Sequence, residues 1–221
     1  MCFSPEADLV AGVVIGAIAV ESLRRRPVRE DLPLALVPAV LAVHSLIEAF
    51  VWWGGRGQVG EGVFTLATYA YVVIAYAVLP TLVPFAVRAR EPQGRRRDAL
   101  SVVLGIGAAV SATMLWAIVD GDVAVTLEEH FVRYGVGVPF PVLLVSGYVA
   151  VTCGSALLSS SRAIVVFGVV QVVAVAVLAL LTTQALTSLW CGWAAITSLA
   201  IVLQVRRDRE DPTRVPDRAA V

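Results

Sequence analysis

The sequence predicts an all-α fold: a polytopic membrane helical bundle of seven transmembrane helices, amino terminus outside and carboxyl terminus cytoplasmic. Three observations predict it. The 221 residues are 58% hydrophobic and only 15% charged, with a mean hydropathy of +0.83, whereas soluble domains carry about 25% charged residues. Apolar runs of about twenty residues, the length that crosses a bilayer, recur near 7–23, 33–53, 63–87, 99–119, 140–159, 163–182 and 185–204. The arginines are sorted by loop: four at 24–29, five at 88–97, Arg162, and five at 206–218. Only Arg56 and Arg133 fall in the opposite loops. The positive-inside rule assigns the larger set to the cytoplasm, and an odd number of spans then puts the two termini on opposite sides.

The first span opens at Ser4-Pro5-Glu6, with Ser4 as cap, Pro5 at the first helical position and Glu6 and Asp8 in the first turn. Its acidic start and trailing arginines argue for a retained helix rather than a cleaved signal. The second span, Pro33 to Trp53, carries His44 and Glu48 inside an otherwise apolar run. In the third, Tyr69 and Tyr76 lie seven apart and so share a face, and Pro80 and Pro84 predict a kink. Gly12-x-x-x-Gly16, Gly107-x-x-x-Ser111 and Ala194-x-x-x-Ser198 are small-residue pairs that let helices approach closely.

The longest external loop, Asp120 to Pro139, holds Asp122, Glu128, Glu129 and His130. It reads as a solvated loop in which TLEEHFVRY forms a short interfacial helix, with Phe131 and Tyr134 on its apolar side. Its acids lack a calcium-loop pattern. Cys153 in the fifth span reads as a small buried apolar residue. The seventh span carries Cys191 between Trp190 and Trp193. Residues 1–205 form the seven-helix transmembrane domain, and 206–221, charged, aperiodic and with two prolines, a short disordered cytoplasmic tail.

Composition excludes several classes. All seventeen basic residues are arginine, so no lysine exists to hold retinal as a Schiff base. No Gly-x-Ser-x-Gly elbow, His-Glu-x-x-His, phosphate-cradling loop or nucleic-acid patch occurs. The expected partner is the lipid bilayer, not nucleic acid. Neither a cofactor nor an oligomeric state follows from the residues.

His44 and Glu48 are the most informative pair. An ionisable group at that depth costs about 2.5–3.5 kcal/mol on insertion scales, so such residues face a bundle interior and usually mark function. Four apart, they share a helix face that Trp52 continues. Matching depths across spans gives an outward-facing pocket of His44, Glu48, Tyr69 and Cys191, with Tyr76 on the face of Tyr69 and Trp52 and Trp190 at the rim. The blander alternative makes His44 and Glu48 a structural pair and the tryptophans interfacial anchors. Cys2 and Cys191 both belong to the outer half. They form a disulfide, or join His44 and Glu48 around a soft metal, or stand as unconnected thiols.

Four short elements resemble one another's counterparts in a single known group. These are Met1-Cys2-Phe3-Ser4, Leu46-Ile47-Glu48 followed by Trp52, Pro80-x-x-x-Pro84, and Trp190-Cys191-x-x-Ala194-Ala195. Together, over most of the chain, they resemble a family of small bacterial seven-span membrane proteins classed as a domain of unknown function. The resemblance implies the seven-helix architecture and draws attention to Cys2, Glu48, Trp52, Trp190 and Cys191. It implies no activity. That family carries paired glutamines where this chain has His44-Ser45, which counts against a histidine metal ligand and leaves Glu48, then Cys191, as the central polar groups.

The functional expectation is an integral protein of the plasma membrane that binds a small lipophilic ligand or a metal around Glu48. The alternatives are a membrane-embedded enzyme acting on a lipid or isoprenoid, with Glu48 as general acid beside His44, and a structural membrane subunit.

Overall fold

The computed structural model describes residues 4–24, 28–129 and 131–181. Within them lie six helices and one hairpin: α1 (Pro5–Arg24), α2 (Leu32–Gly55), α3 (Glu61–Arg90), α4 (Arg95–Asp120), β1 (Val123–Leu127), β2 (Val132–Val136), α5 (Pro141–Leu157) and α6 (Arg162–Leu181). These helices fall on the first six apolar runs. Three of them, α2, α3 and α4, are long and apolar enough to cross a membrane. The seventh run, 185–204, and the tail 206–221 lie outside the described residues.

Ser4 caps α1 as its sequence suggests: its Oγ accepts the Ala7 N–H at 3.3 Å. The Ser4 hydroxyl and the backbone N–H of Glu6 hold the exposed Glu6 carboxyl below its ordinary range. One stripe of α1 is buried, running through Asp8, Ala11, Gly12, Ile15, Ala19 and Ser22 at helical spacing. Small residues on it bring α1 against α2. A Cβ placed on Gly12 would lie 2.6 Å from Leu46 Cγ, and one on Gly16 would lie 3.8 Å from the Ala42 side chain. At Gly12 a side chain would have to displace Leu46, whereas at Gly16 a Cβ makes an ordinary contact.

The prolines of the third run do not break it. The helix widens into a π-turn over Ile74–Val78 just ahead of Pro80. Proline cannot donate the i→i−4 bond, and a π-turn absorbs the resulting defect while the helix continues. α4 crosses close by at Gly107, whose missing side chain leaves room for the Pro80 carbonyl. Thr81 and Ser111 hydroxyls bond each other at 2.8 Å across the same contact.

The expected interfacial helix in the 120–139 loop is corrected to a β-hairpin, and with it the all-α assignment is corrected at this one place. The strands pair antiparallel with Val125 opposite Tyr134 and Leu127 opposite Val132. The reason is legible afterwards. Val123, Val125 and Leu127, then Val132, Tyr134 and Val136, alternate with polar or small residues at period two, and β-branched residues favour the pleat. In the structure Tyr134 is not on the face of a helix but on the inner face of β2, buried with Val132.

Two apolar cores result. One gathers Ile15, Leu34, Val37, Leu41, Ala42, Leu79, Ala86, Val87, Leu100 and Ile164 toward the arginine-bearing connections. The other gathers Val51, Trp52, Ala67, Tyr71, Val72, Ile118, Val132 and Tyr134 under the hairpin. On α2 the first core ends at Ala42 and the second begins at Ile47 and Val51. His44, Ser45 and Glu48 occupy the seam.

Candidate functional site

The seam is polar and buried. Glu48 is fully buried, and His44, Ser45, Asp8 and Thr68 are each at most 3% exposed. Asp8, His44 and Glu48 are all engaged in interactions in the folded chain, as burial of ionisable groups requires.

Helix registers bring these residues to one level. Because Gly12 meets Leu46 and Ala42 while Gly16 meets Ala42, α1 and α2 run antiparallel. One turn earlier on α1, Asp8 therefore stands opposite the stretch of α2 centred on Glu48. On the other side, Gly54 abuts Phe64 and His44 stacks on Tyr71. Between those two contacts Thr68 falls level with Glu48. Three helices thus contribute a carboxyl, a carboxyl with an imidazole, and a hydroxyl to a single layer.

Beside the layer runs an aromatic ladder. The His44 and Tyr71 rings stack with centroids 4.0 Å apart and planes 22° from parallel. The Tyr71 ring stacks in turn on Tyr134 of β2 at 4.3 Å and 18°. Such pairs contribute about 0.5–1.5 kcal/mol each beyond area burial. Trp52, one turn beyond Glu48, is 1% exposed, and the Arg56 guanidinium lies 5.0 Å from its ring centroid. Trp52 is therefore part of the interior, while Trp53, half-buried and edge-on to Phe50 at 5.2 Å, has the position of an anchor.

The residues expected from sequence divide. His44, Glu48 and Trp52 come together. Tyr76 packs, half-buried, against the hairpin-side core. Tyr69 does not join them: it is 36% exposed and lines a shallow open depression with Glu61, Gly62, Thr65 and Leu66. The seven-residue spacing of Tyr69 and Tyr76 says they share a face only if the helix is regular, and the π-turn begins between them. Tyr71 takes the place expected of Tyr69. Cys2, Trp190 and Cys191, and with them the disulfide and the thiol metal ligands, lie outside the described residues. Cys153 is buried with a free thiol. No group of three or more His, Cys, Asp or Glu side chains is placed to hold a metal ion among the described residues.

Sequence reasoning missed four participants. Tyr134 was signalled by the period-two alternation of the hairpin. Asp8 was signalled by its place on the small-residue stripe of α1, where a carboxyl is out of character. Tyr71 and Thr68 carried no signal, because α3 is apolar all round and periodicity alone does not single out its inward face.

No curated protein and no solved structure matches this chain. A family model described as a family of unknown function matches residues 1–216, and the chain belongs to that family, DUF6629.

Proposed function

We propose that this protein is a seven-span membrane protein, arginine-rich connections in the cytoplasm and hairpin outside, that binds a small lipophilic ligand at the layer around Glu48. One observation carries the reading. A carboxyl with no exposed surface sits about two thirds of the way along a 24-residue apolar helix, beside stacked aromatic rings that reach the hairpin. A fold that needed only packing would be served as well by an apolar residue there, since buried charged groups rarely add net stability. Flat aromatic walls with a few convergent polar groups are the usual make-up of small-molecule sites. Glu48 supplies the polar anchor, His44 its orienting neighbour, and Tyr71, Tyr134 and Trp52 the apolar platform. The hairpin closes the outer end.

The test is organic extraction of detergent-purified protein followed by mass spectrometry of what co-purifies. Wild type is expected to carry one small apolar molecule per chain, reduced at least tenfold in Glu48→Gln of unchanged folding. Equal recovery from both proteins, or none from either, would overturn the reading.

A further inference from the structure

Two hydrogen-bond donors are stranded where α2 meets α3. The Thr68 hydroxyl and the Trp52 indole N–H are buried with no hydrogen-bond partner among the described residues. Both residues are at most 3% exposed. A buried donor left unmade keeps its full desolvation penalty, so a protein interior rarely holds one without a reason.

The immediate surroundings of neither donor use it. A threonine inside a helix commonly returns its hydroxyl to a carbonyl one turn back. Thr113 does so to Ala109 at 2.9 Å, and Thr152 to Tyr148 at 2.7 Å. Thr81 instead bonds Ser111 across to α4. Thr68 does neither. The Arg56 guanidinium lies over the face of the Trp52 ring, but the indole N–H points outward in the ring plane, so that contact leaves it unused.

Both donors belong to one small region. Trp52 packs in a single apolar cluster with Ala67, Tyr71 and Val72 of α3. Thr68 adjoins Ala67 in the chain and is buried with these same residues on the inner side of α3. One turn earlier, Thr65 lines the shallow open depression with Glu61, Gly62, Leu66 and Tyr69. Residues three apart are neighbours on a helix surface, so the depression adjoins Thr68.

The donors fix the chemistry of what they meet. An indole N–H can only donate and a hydroxyl can do either, so an occupant that satisfies both must accept. A carbonyl oxygen has two lone pairs and no charge, and enters an apolar layer at far lower cost than a carboxylate or a phosphate. We infer that the ligand of this layer is a carbonyl-bearing lipophile, such as a ketone, quinone or ester. Its oxygen accepts from Trp52 and Thr68, and its apolar chain runs into the depression beside Thr65. The inference rests on the ligand reading of the layer and names the class of molecule it takes.

The probe is methyl nonyl ketone, compared with undecane, which has the same chain length and no acceptor. The full chain in bilayer nanodiscs, isotope-labelled at its five tryptophan indole nitrogens, is titrated with each and read by NMR. Trp52→Phe assigns the Trp52 signal. The ketone is expected to move the Trp52 N–H resonance downfield and leave the other four in place, while undecane moves none. Thr68→Val removes the hydroxyl at near-constant volume and is expected to weaken ketone binding about tenfold; Thr68→Ser is expected to restore it. A Trp52 signal that ignores the ketone and exchanges with water would overturn the inference, because the donors would then serve a bound water. So would a folded Thr68→Val protein that binds the ketone as tightly as wild type. An equal response to ketone and alkane would also overturn it, yet leave the ligand reading standing. A response to neither, with nothing co-purified, would remove both.

Discussion

The two ends of the bundle bury charge in opposite ways. At the arginine-bearing end the buried acids among the described residues, Asp31 and Glu91, each have a partner that ties one element to another. Arg90 Nε meets Asp31 Oδ1 at 3.0 Å, with side chains 7% and 6% exposed, fastening the end of α3 to the start of α2. Glu91 accepts the Ser160 N–H on both oxygens at 3.0 Å and the Ser159 hydroxyl at 3.3 Å, so it holds the turn that leads into α6. Arg96 donates to the Ser159 carbonyl at 3.1 Å. At the hairpin end Asp8 and Glu48 are buried deep in the layer, at the level of Thr68 and one turn from the stacked His44 and Tyr71 rings. Arg56, at that end, lies over Trp52. The difference teaches that burial of charge serves joinery at one end and, on the reading proposed above, a site at the other.

Breaking the joinery should give the largest effect. Asp31→Ala leaves the Arg90 guanidinium buried without this carboxylate, a loss of about 3–5 kcal/mol, read as unfolding free energy in mixed micelles. A loss under 1 kcal/mol would mean that end is not held by its ion pair. Removing one rung of the ladder sharpens the contrast. Tyr134→Leu keeps an apolar side chain on β2 and forfeits about 0.5–1.5 kcal/mol of ring stacking, while amide exchange across the Val125–Tyr134 pairing should quicken. Unchanged exchange would separate the hairpin from the layer. Smallest of all is Arg133→Gln. Its 2.7 Å bond to Glu128 is made at 45% and 35% exposure, and such pairs contribute about 0–1 kcal/mol, so the melting curve should barely move.

Much of this contrast could be read before the coordinates, for physical reasons that differ by residue. The six described helices follow from apolar length alone, since a run of about twenty apolar residues has few other uses. Glu48 and His44 stood out because depth in an apolar helix is expensive for them. Trp52 was ambiguous: indole at a span end serves as belt or as wall, and its neighbour Trp53 shows the other outcome. The hairpin was missed because charged residues in TLEEHFVRY drew attention to a helical face, although the flanking valines alternate at period two. Asp8 was read only as a first-turn acid. Its meaning depends on which face of α1 meets α2, and that is decided by Gly12 and Gly16 fitting against Leu46 and Ala42, a long-range fact. Tyr71 displaced Tyr69 through helix orientation, which no local pattern encodes.

The central claim is that Glu48 is kept for what it binds, not for the stability it lends. Its most direct test is the unfolding free energy of Glu48→Gln beside that of Asp31→Ala, in the same micelles at neutral pH. The account predicts that Glu48→Gln is as stable as wild type or more so, because it removes an ionisable group from an apolar layer at constant volume, while Asp31→Ala falls by several kcal/mol. A Glu48→Gln protein destabilised as much as Asp31→Ala would contradict it, and would make the layer a second piece of joinery.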